Sequence, residues 1–490
     1  MIKPDKAYTI KKMLEKCCEK YAERTAYEAD FGRFSMTFGQ LWDTTKRLVG
    51  YMYDHGFYKK NVALIGKNST EYTRILFAAL TSNISLVPID PSLPLKEMAE
   101  RISFADAEFI ICDDRNIADS LKKECPQSTA YDMKELMEAA ENSESFDLEN
   151  EVIEDDHVSL MIFSSGTGGR MKLVMLTQIG LFTEWYVVKD YDEVMDRGFI
   201  VAPLFHILGI SDAIGNWYMG KSMYISQGFA FQLKELKYAR PKCIRMVPAT
   251  AQWLYQLIKD KPKEEGRALL GGNLRNIRTS GAALEVRLVD EFAKYDISVV
   301  SDYGMTEVGG PVSVAVPKGD TLLIQKGTVG KCIDGLDVVI EKIEGCDYGE
   351  ILLGGNAVFK GYYKDPEATG ECLINGFYHT GDLGMIDDEG FLHIVGRSKN
   401  VIILSNGENI IPEQMEKELY TCTYIRECLV YADNDVLSVK IVPSENNDET
   451  KENISSFIKN FNRNNPVHKQ IGKFLFVDEL TRTSTGKMKR

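Results

Sequence analysis

Apolar residues recur along this chain in two alternating rhythms. Asn61 to Gly66 (NVALIG) is a short, nearly continuous apolar run, the pattern of a strand buried on both faces. Tyr72, Ile75, Leu76 and Ala79 follow at helical spacing, and Ser85 to Ile89 (SLVPI) returns to strand texture. Phe109 to Cys112 (FIIC) repeats that texture after another short helical pattern. Further on, Cys243 to Val247, Ile277 to Thr279 and Ile297 to Val300 read as strands, separated by helical patterns at Trp253 to Ile258 and Leu284 to Phe292. Such alternation predicts βαβ units and parallel sheets, because a parallel pair needs a crossover and a helix supplies it.

The rhythm changes twice more. From Gly327 to Ile394 short β segments are broken by Gly and Asp, as in a β-barrel or meander. The remainder mixes short strands with two helices and reads as a separate small α+β unit. Two polar stretches are expected on the surface: the acidic run from about Glu135 to Asp156 as a helix and loop, and Ser444 to Asn453 as a loop.

Composition narrows the classes. At 490 residues the chain exceeds one average domain, so a large domain plus a smaller one is expected. A formal charge of −14 weighs against a nucleic-acid partner, which needs a basic footprint to displace counterions. The ten cysteines include no C-x-x-C pair, and dispersed thiols suit a reducing compartment. The first residues lack the apolar core of a signal peptide, and no run is apolar for long enough to predict a membrane span. A soluble, cytoplasmic protein is the expectation.

Candidate chemistry begins at Phe163 to Thr177 (FSSGTGGRMKLVMLT). A strand runs into glycines and small hydroxyl residues, then Lys172, then another strand. Small residues let successive backbone N–H groups curl around an anion, and hydroxyls with a lysine complete a polyphosphate site. An ordinary Gly-rich turn is an equal alternative for this string alone. A Walker loop is excluded, because Lys172 is flanked by Met171 and Leu173 rather than the required Gly and Ser/Thr. A G-x-G-x-x-G fingerprint from Gly166 and Gly168 would need glycine where Met171 stands.

Four more strings follow in order. Asp302 to Glu307 (DYGMTE) offers an aromatic face for a base, a hydroxyl for phosphate and a hard carboxylate suited to Mg²⁺. Tyr378 to Gly384 (YHTGDLG) puts Asp382 in what reads as a tight turn, where it could accept from ribose hydroxyls. Gly396 to Pro412 (GRSKNVIILSNGENIIP) supplies Arg397 and a glycine turn, and Thr483 to Arg490 (TSTGKMKR) places Lys487 on a short polar loop. Singly, each has a plainer explanation: a turn-forming Asp, a core Tyr, a solvated Lys.

As an ordered set, with Pro203 to His206 (PLFH), Ser280 to Leu284 (SGAAL), Gly349 to Ile351 (GEI) and Gly361 to Tyr363 (GYY), these strings resemble the adenylate-forming superfamily of acyl-CoA synthetases, adenylation domains and luciferases. The resemblance implies an α/β fold: a large N-terminal domain, 1–396, with doubly wound sheets and a β-barrel-like subdomain, then a small mobile α+β domain, 397–490. It implies that Ser165, Gly166, Thr167, Gly168, Gly169 and Lys172 bind the ATP triphosphate. Gly281, Ala282, Asp302 and Tyr303 would line the nucleotide, Thr306 would contact phosphate, Glu307 would hold Mg²⁺, and Asp382 and Arg397 would grip the ribose. Lys487 would serve the first half-reaction, where a cation stabilises charge developing as pyrophosphate leaves. The Asn406-Gly407-Glu408 turn would face a pantetheine thiol after rotation about Ser398 and Lys399.

His206 stands where amino-acid-activating domains usually carry an Asp, which favours a fatty, short-chain or aromatic acid. Ser280, Gly281, Gly304, Met305, Val308 and Gly309 would complete the acid wall. Asp212, six residues on, is expected at a helix end or on the surface. The family loop commonly reads S-G-T-T-G-x-P-K-G; here Gly168, Met171 and Leu173 replace Thr, Pro and Gly, and Gln178 replaces a following His. Three readings remain: an acid–CoA ligase, an enzyme loading the phosphopantetheine of an acyl or peptidyl carrier protein, and a catalytically weakened nucleotide-binding member. Under either catalytic reading, Lys487→Ala should sharply reduce adenylation while sparing thioester formation from a supplied acyl-adenylate. Equal loss in both half-reactions would count against that role.

Overall fold

A computed structural model describes residues 8–164, 171–228, 231–405 and 408–481. The chain divides into two compact units: residues up to Val338 with Leu353–Tyr378, and Val339–Leu352 with the chain from His379 onward.

The first unit contains the alternating elements. Its largest sheet runs, in spatial order, Gly361–Tyr362, Lys172–Thr177, Val158–Ser164, Ser85–Ile89, Asn61–Ile65, Phe109–Cys112 and Thr129–Asp132. The last five are mutually parallel and the first two pairings antiparallel. A second sheet of Cys243–Met246, Asn276–Thr279 and Ser298–Ser301 is wholly parallel. Each sheet has its own apolar core, one around Ile65, Val87, Ile110 and Leu173, the other around Ile244, Ile277, Phe292 and Val299. Local chemistry starts the helices. Ser69 accepts from Tyr72 N at the head of Thr70–Leu80, and Thr37 with Gln40 forms a capping box before Phe38–Asp54.

The second unit carries Pro412–Leu419, Asp448–Asn464 and a sheet of Ile425–Asp433, Val436–Pro443 and Lys473–Phe476 around Leu419, Val439, Ile441 and Ile458. Among the described residues, no helix is long and apolar enough to cross a membrane.

Three expectations are corrected. Ser444 to Asn453 is not simply a loop: Asn447 Oδ1 accepts from Thr450 N at 2.8 Å and opens the helix Asp448–Asn464. Asp448 and Glu449 then sit in its first turn, where negative charge complements the helix dipole. The acidic run is also more than solvated charge, since Glu149 accepts from Trp42 Nε1 at 2.9 Å and Glu151 from Asn83 Nδ2 at 2.8 Å. Asp212, finally, is neither terminal nor exposed; it lies within the helix Ile207–Met219 with 6% of its surface accessible.

Asp212 faces a buried polar cluster. A cavity of about 10 Å³, room for one water, is lined by Ser211, Asp212, Asn216, Arg245 and Arg278 among others. Burial pushes the Asp212 carboxyl up to about 6, with Arg245 and Arg278 pulling the other way and Asp302 adding to the rise. A folded-state pKa above the ordinary 3.8 means that this group's contribution to stability is complete at low pH and lost as pH rises through about 6. Asp212→Asn cannot ionise, so its stability relative to the parent chain should improve by on the order of 2–3 kcal/mol between about pH 4 and pH 8. Urea unfolding at both ends of that range measures the difference; a pH-independent gap between the two chains would show that the buried carboxyl does not titrate there.

Candidate functional site

The strands Val158–Ser164 and Lys172–Thr177 pair antiparallel with Ser164 opposite Lys172, so residues 165–171 join them in sequence. Ser165, Gly166, Thr167, Gly168 and Gly169 lie outside the described residues, as do Asn406, Gly407 and Lys487. At the exit of that connection, the Lys172 ammonium lies 4.4 Å from the centroid of the Tyr362 ring. Tyr362 is fixed there by register, opposite Val174 on the outer edge of the same sheet. Its hydroxyl donates to Glu307 Oε1 at 3.1 Å, and Glu307 O accepts from Phe359 N at 2.8 Å. Burial and then the Glu307 charge hold the Tyr362 hydroxyl far above the ordinary tyrosine range, so it remains a donor.

Lys172, Glu307 and Tyr362 thus form one constellation of cation, hard carboxylate and aromatic hydroxyl. The carboxylate is half-buried and its chemistry suits Mg²⁺, while the lysine suits phosphate. Sequence reasoning placed the first two and passed over Tyr362, although its string was noted; only the pairing of distant strands could have singled it out. Two departures from the family loop also acquire physical roles. Leu173 is fully buried in the core of the large sheet. Gln178 is fully buried as well, its Oε1 accepting from Lys11 N at 3.1 Å and its Nε2 donating to Leu80 O at 2.9 Å and Ser159 Oγ at 2.7 Å.

Tyr303–Met305 forms a short strand against Gly310–Val314, and Thr306–Val308 makes a single 3₁₀ turn. A side chain at Gly304 would put its Cβ 2.5 Å from Gly310 O, so glycine there answers a close backbone approach. Met305 and Thr306 are half-buried, whereas Val308 and Gly309 are buried. The Asp302 carboxylate points inward, its Oδ2 accepting from Arg278 Nε at 2.8 Å. Ser280 is buried with its N–H donating to Met246 O at 3.2 Å, and Gly281 and Ala282 are exposed. His206 caps the helix Ile207–Met219, its Nδ1 accepting from Leu208 N at 3.3 Å. Asn68, another residue that sequence reasoning missed, braces the segment before His206 by accepting from Leu204 N and donating to Ala202 O, both at 2.9 Å.

In the second unit, Asp382 and Arg397 face each other across antiparallel strands, Arg397 Nε lying 2.7 Å from Asp382 Oδ1. Asp382 is not in a tight turn as expected; it lies within the strand Phe377–Ile386, directly after Gly381, whose φ of 68° supplies the local kink. Gly381 N donates to Glu350 Oε1 at 2.8 Å. Glu341, Glu350 and His379 bring potential ligand atoms within 4.8 Å of one another nearby, with Glu350 already engaged by that amide. Ser398 and Lys399 form a 3₁₀ turn within this unit, and Glu408 lies 3.9 Å from His468 Nδ1.

Two family profiles match: AMP-binding enzyme over residues 14–363, and AMP-binding enzyme C-terminal domain over 399–490. The 2-succinylbenzoate–CoA ligase of Bacillus licheniformis is 27% identical over 94% of each chain. The oxalate–CoA ligase of Arabidopsis thaliana is 25% identical over 98% of this chain and 97% of its own. Among solved structures, O-succinylbenzoate coenzyme A synthetase (MenE) from Bacillus subtilis with AMP superposes with a TM-score of 0.79 at 24% identity, covering 97% of this chain and 96% of that one.

Tyr362→Phe retains the ring under Lys172 and removes the hydrogen bond to Glu307. The Mg²⁺ concentration needed for half-maximal ATP binding should rise about 3- to 10-fold, the scale of one hydrogen bond to a charged group. An unchanged Mg²⁺ titration would show that Tyr362 does not act on metal binding through Glu307.

Proposed function

Because the chain belongs to the AMP-binding enzyme family, we propose that it activates a carboxylic acid with ATP and passes the acyl group to the thiol of CoA. The observation that carries this reading is the gathering of Lys172, Glu307 and Tyr362, in a chain that the family profiles span almost end to end. An acid carboxylate oxygen attacks the α-phosphorus of ATP, and the bond to the departing pyrophosphate breaks. In the second half-reaction the thiol gives up its proton, its sulfur bonds to the acyl carbon, and AMP leaves with the electron pair of its bond to that carbon.

The chain's own groups divide this work. Ser165, Gly166, Thr167, Gly168, Gly169 and Lys172 bind the triphosphate, Tyr303 stacks on the base, and Thr306 contacts phosphate. Magnesium, when bound, neutralises phosphate charge, and Glu307 holds it. Asp382 and Arg397 bind the ribose, and Lys487 stabilises charge on the reacting oxygens. Asn406, Gly407 and Glu408 border the thiol in the second half-reaction, with Ser398 and Lys399 as the pivot.

His206 supports an acid without an α-amine. The acids named for relatives of similar identity range from an aromatic dicarboxylate to oxalate, so they do not single out one acid for this chain. A carrier-protein acceptor is the second reading, and a catalytically weakened member the third, prompted by Gly168 and Met171.

ATP–pyrophosphate exchange over a panel of short, fatty, aromatic and amino acids tests the proposal. Exchange dependent on a non-amino acid is expected, followed by a higher thioester yield with CoA than with a holo-carrier protein. No exchange with any acid would favour the weakened member, and preference for the carrier would reassign the acceptor.

A further inference from the structure

Asp212, Arg245, Arg278 and Asp302, each no more than 6% exposed, act on one another electrostatically inside the first unit, where an apolar core would ordinarily stand. Arg278 and Asp302 are the most tightly coupled. Arg278 Nε donates to Asp302 Oδ2 at 2.8 Å, and its Nη2 lies 2.6 Å from the same oxygen. The other carboxylate oxygen accepts from Ala315 N at 3.1 Å, and Asp302 N donates to Thr279 O at 2.7 Å. Ala315 O accepts from the Tyr191 hydroxyl, and the Arg278 guanidinium lies 4.7 Å from the centroid of the Tyr191 ring. The contacts close on themselves: Arg278, Asp302, Ala315, Tyr191 and back to Arg278.

What this ring joins is informative. Arg278 precedes Ser280-Gly281-Ala282 by two residues, and Asp302 immediately precedes Tyr303. Both segments follow parallel strands, in which Arg278 pairs with Val300 and Thr279 with Ser301. A buried ion pair is a poor source of net stability, since desolvation cancels most of its attraction and apolar residues of equal volume do as well. Its distinctive property is direction: the Arg278 Nε donor on one carboxylate oxygen and the Ala315 N–H on the other fix one geometry for Asp302, where apolar packing admits several.

We propose that Arg278 and Asp302 are positioning residues that hold the Ser280–Ala282 and Tyr303–Thr306 segments in one register for nucleotide binding. The inference rests on the adenylation reading for the identity of these segments. The Asp302 carboxylate, expected from sequence to line the nucleotide, acts instead through Tyr303.

The test compares Asp302→Asn, Arg278→Lys and the double variant Arg278→Met/Asp302→Leu with the parent chain. ATP affinity is measured by calorimetry without any acid, KM and kcat by pyrophosphate exchange, and folding by thermal midpoint. In the double variant the thermal midpoint should stay near or above that of the parent while ATP binds about tenfold more weakly. Asp302→Asn should raise the KM for ATP by a similar factor, and Arg278→Lys, which keeps the charge but loses the directed Nε–H donor, should fall between it and the parent. A double variant that folds and binds ATP within about twofold of the parent overturns the proposal, as does a loss confined to the folded fraction with KM unchanged. If the parent binds ATP but no acid supports exchange, the adenylation reading fails while the calorimetric comparison still judges the pair. A parent chain that does not bind ATP overturns both.

Discussion

The pairing of one strand, Lys172–Thr177, with Val158–Ser164 on one side and Gly361–Tyr362 on the other governs the candidate site. With Tyr362 opposite Val174, Lys172 becomes its diagonal neighbour on the same face, within reach of a long side chain. A shift of one residue would turn Tyr362 to the other face and separate it from both Lys172 and Glu307. The strand is anchored on both faces: Leu173 and Leu176, which point to opposite sides of it, are both fully buried. The same hydrogen bonds that build the sheet therefore fix the spacing of cation, ring and carboxylate.

Much of this was legible in the sequence because it depends on periodicity and on short ordered strings. The strands at Asn61–Ile65, Ser85–Ile89 and Phe109–Cys112 and the helix Thr70–Leu80 follow from apolar spacing alone. What escaped depends on partners far along the chain. Tyr362 has no local mark that separates it from a core tyrosine; its role appears only when strands almost 200 residues apart pair. Asp212 looked like a surface residue because lone buried carboxylates are rare, and it is not alone: Arg245 and Arg278 arrive from two other strands. The polar run at Ser444 was misread for a different reason, since Asn and Asp mark both loops and helix starts and only the cap geometry distinguishes them.

The two buried arginines extend this contrast between local and distant information. Each sits on a strand whose other residues are interior, Arg245 within Cys243–Met246 and Arg278 within Asn276–Thr279. Arg245 Nη1 donates to Ser211 Oγ at 2.8 Å, which ties the helix behind His206 to the same sheet that carries Arg278. The sheet ends that lead to Ser280 and Tyr303 are thus braced by polar contacts from beneath, while the apolar core of Ile244, Ile277 and Val299 provides cohesion. Cohesion and direction come from different residues of the same strands.

This division bears on the altered glycine connection. Four positions depart from the usual family pattern, and two of them, Leu173 and Gln178, are fully buried. The Gln178 side chain makes three hydrogen bonds that join the helix Ile10–Lys20, the helix Thr70–Leu80 and the strand Val158–Ser164, so its amide answers a packing demand. Leu173 fills the core beneath Lys172. Neither change disturbs Lys172, whose ammonium keeps its placement against the Tyr362 ring. On the proposed reading, a loss in triphosphate binding would trace to Gly168 and Met171, where the sequence lacks one hydroxyl and one conformational restraint of the usual loop.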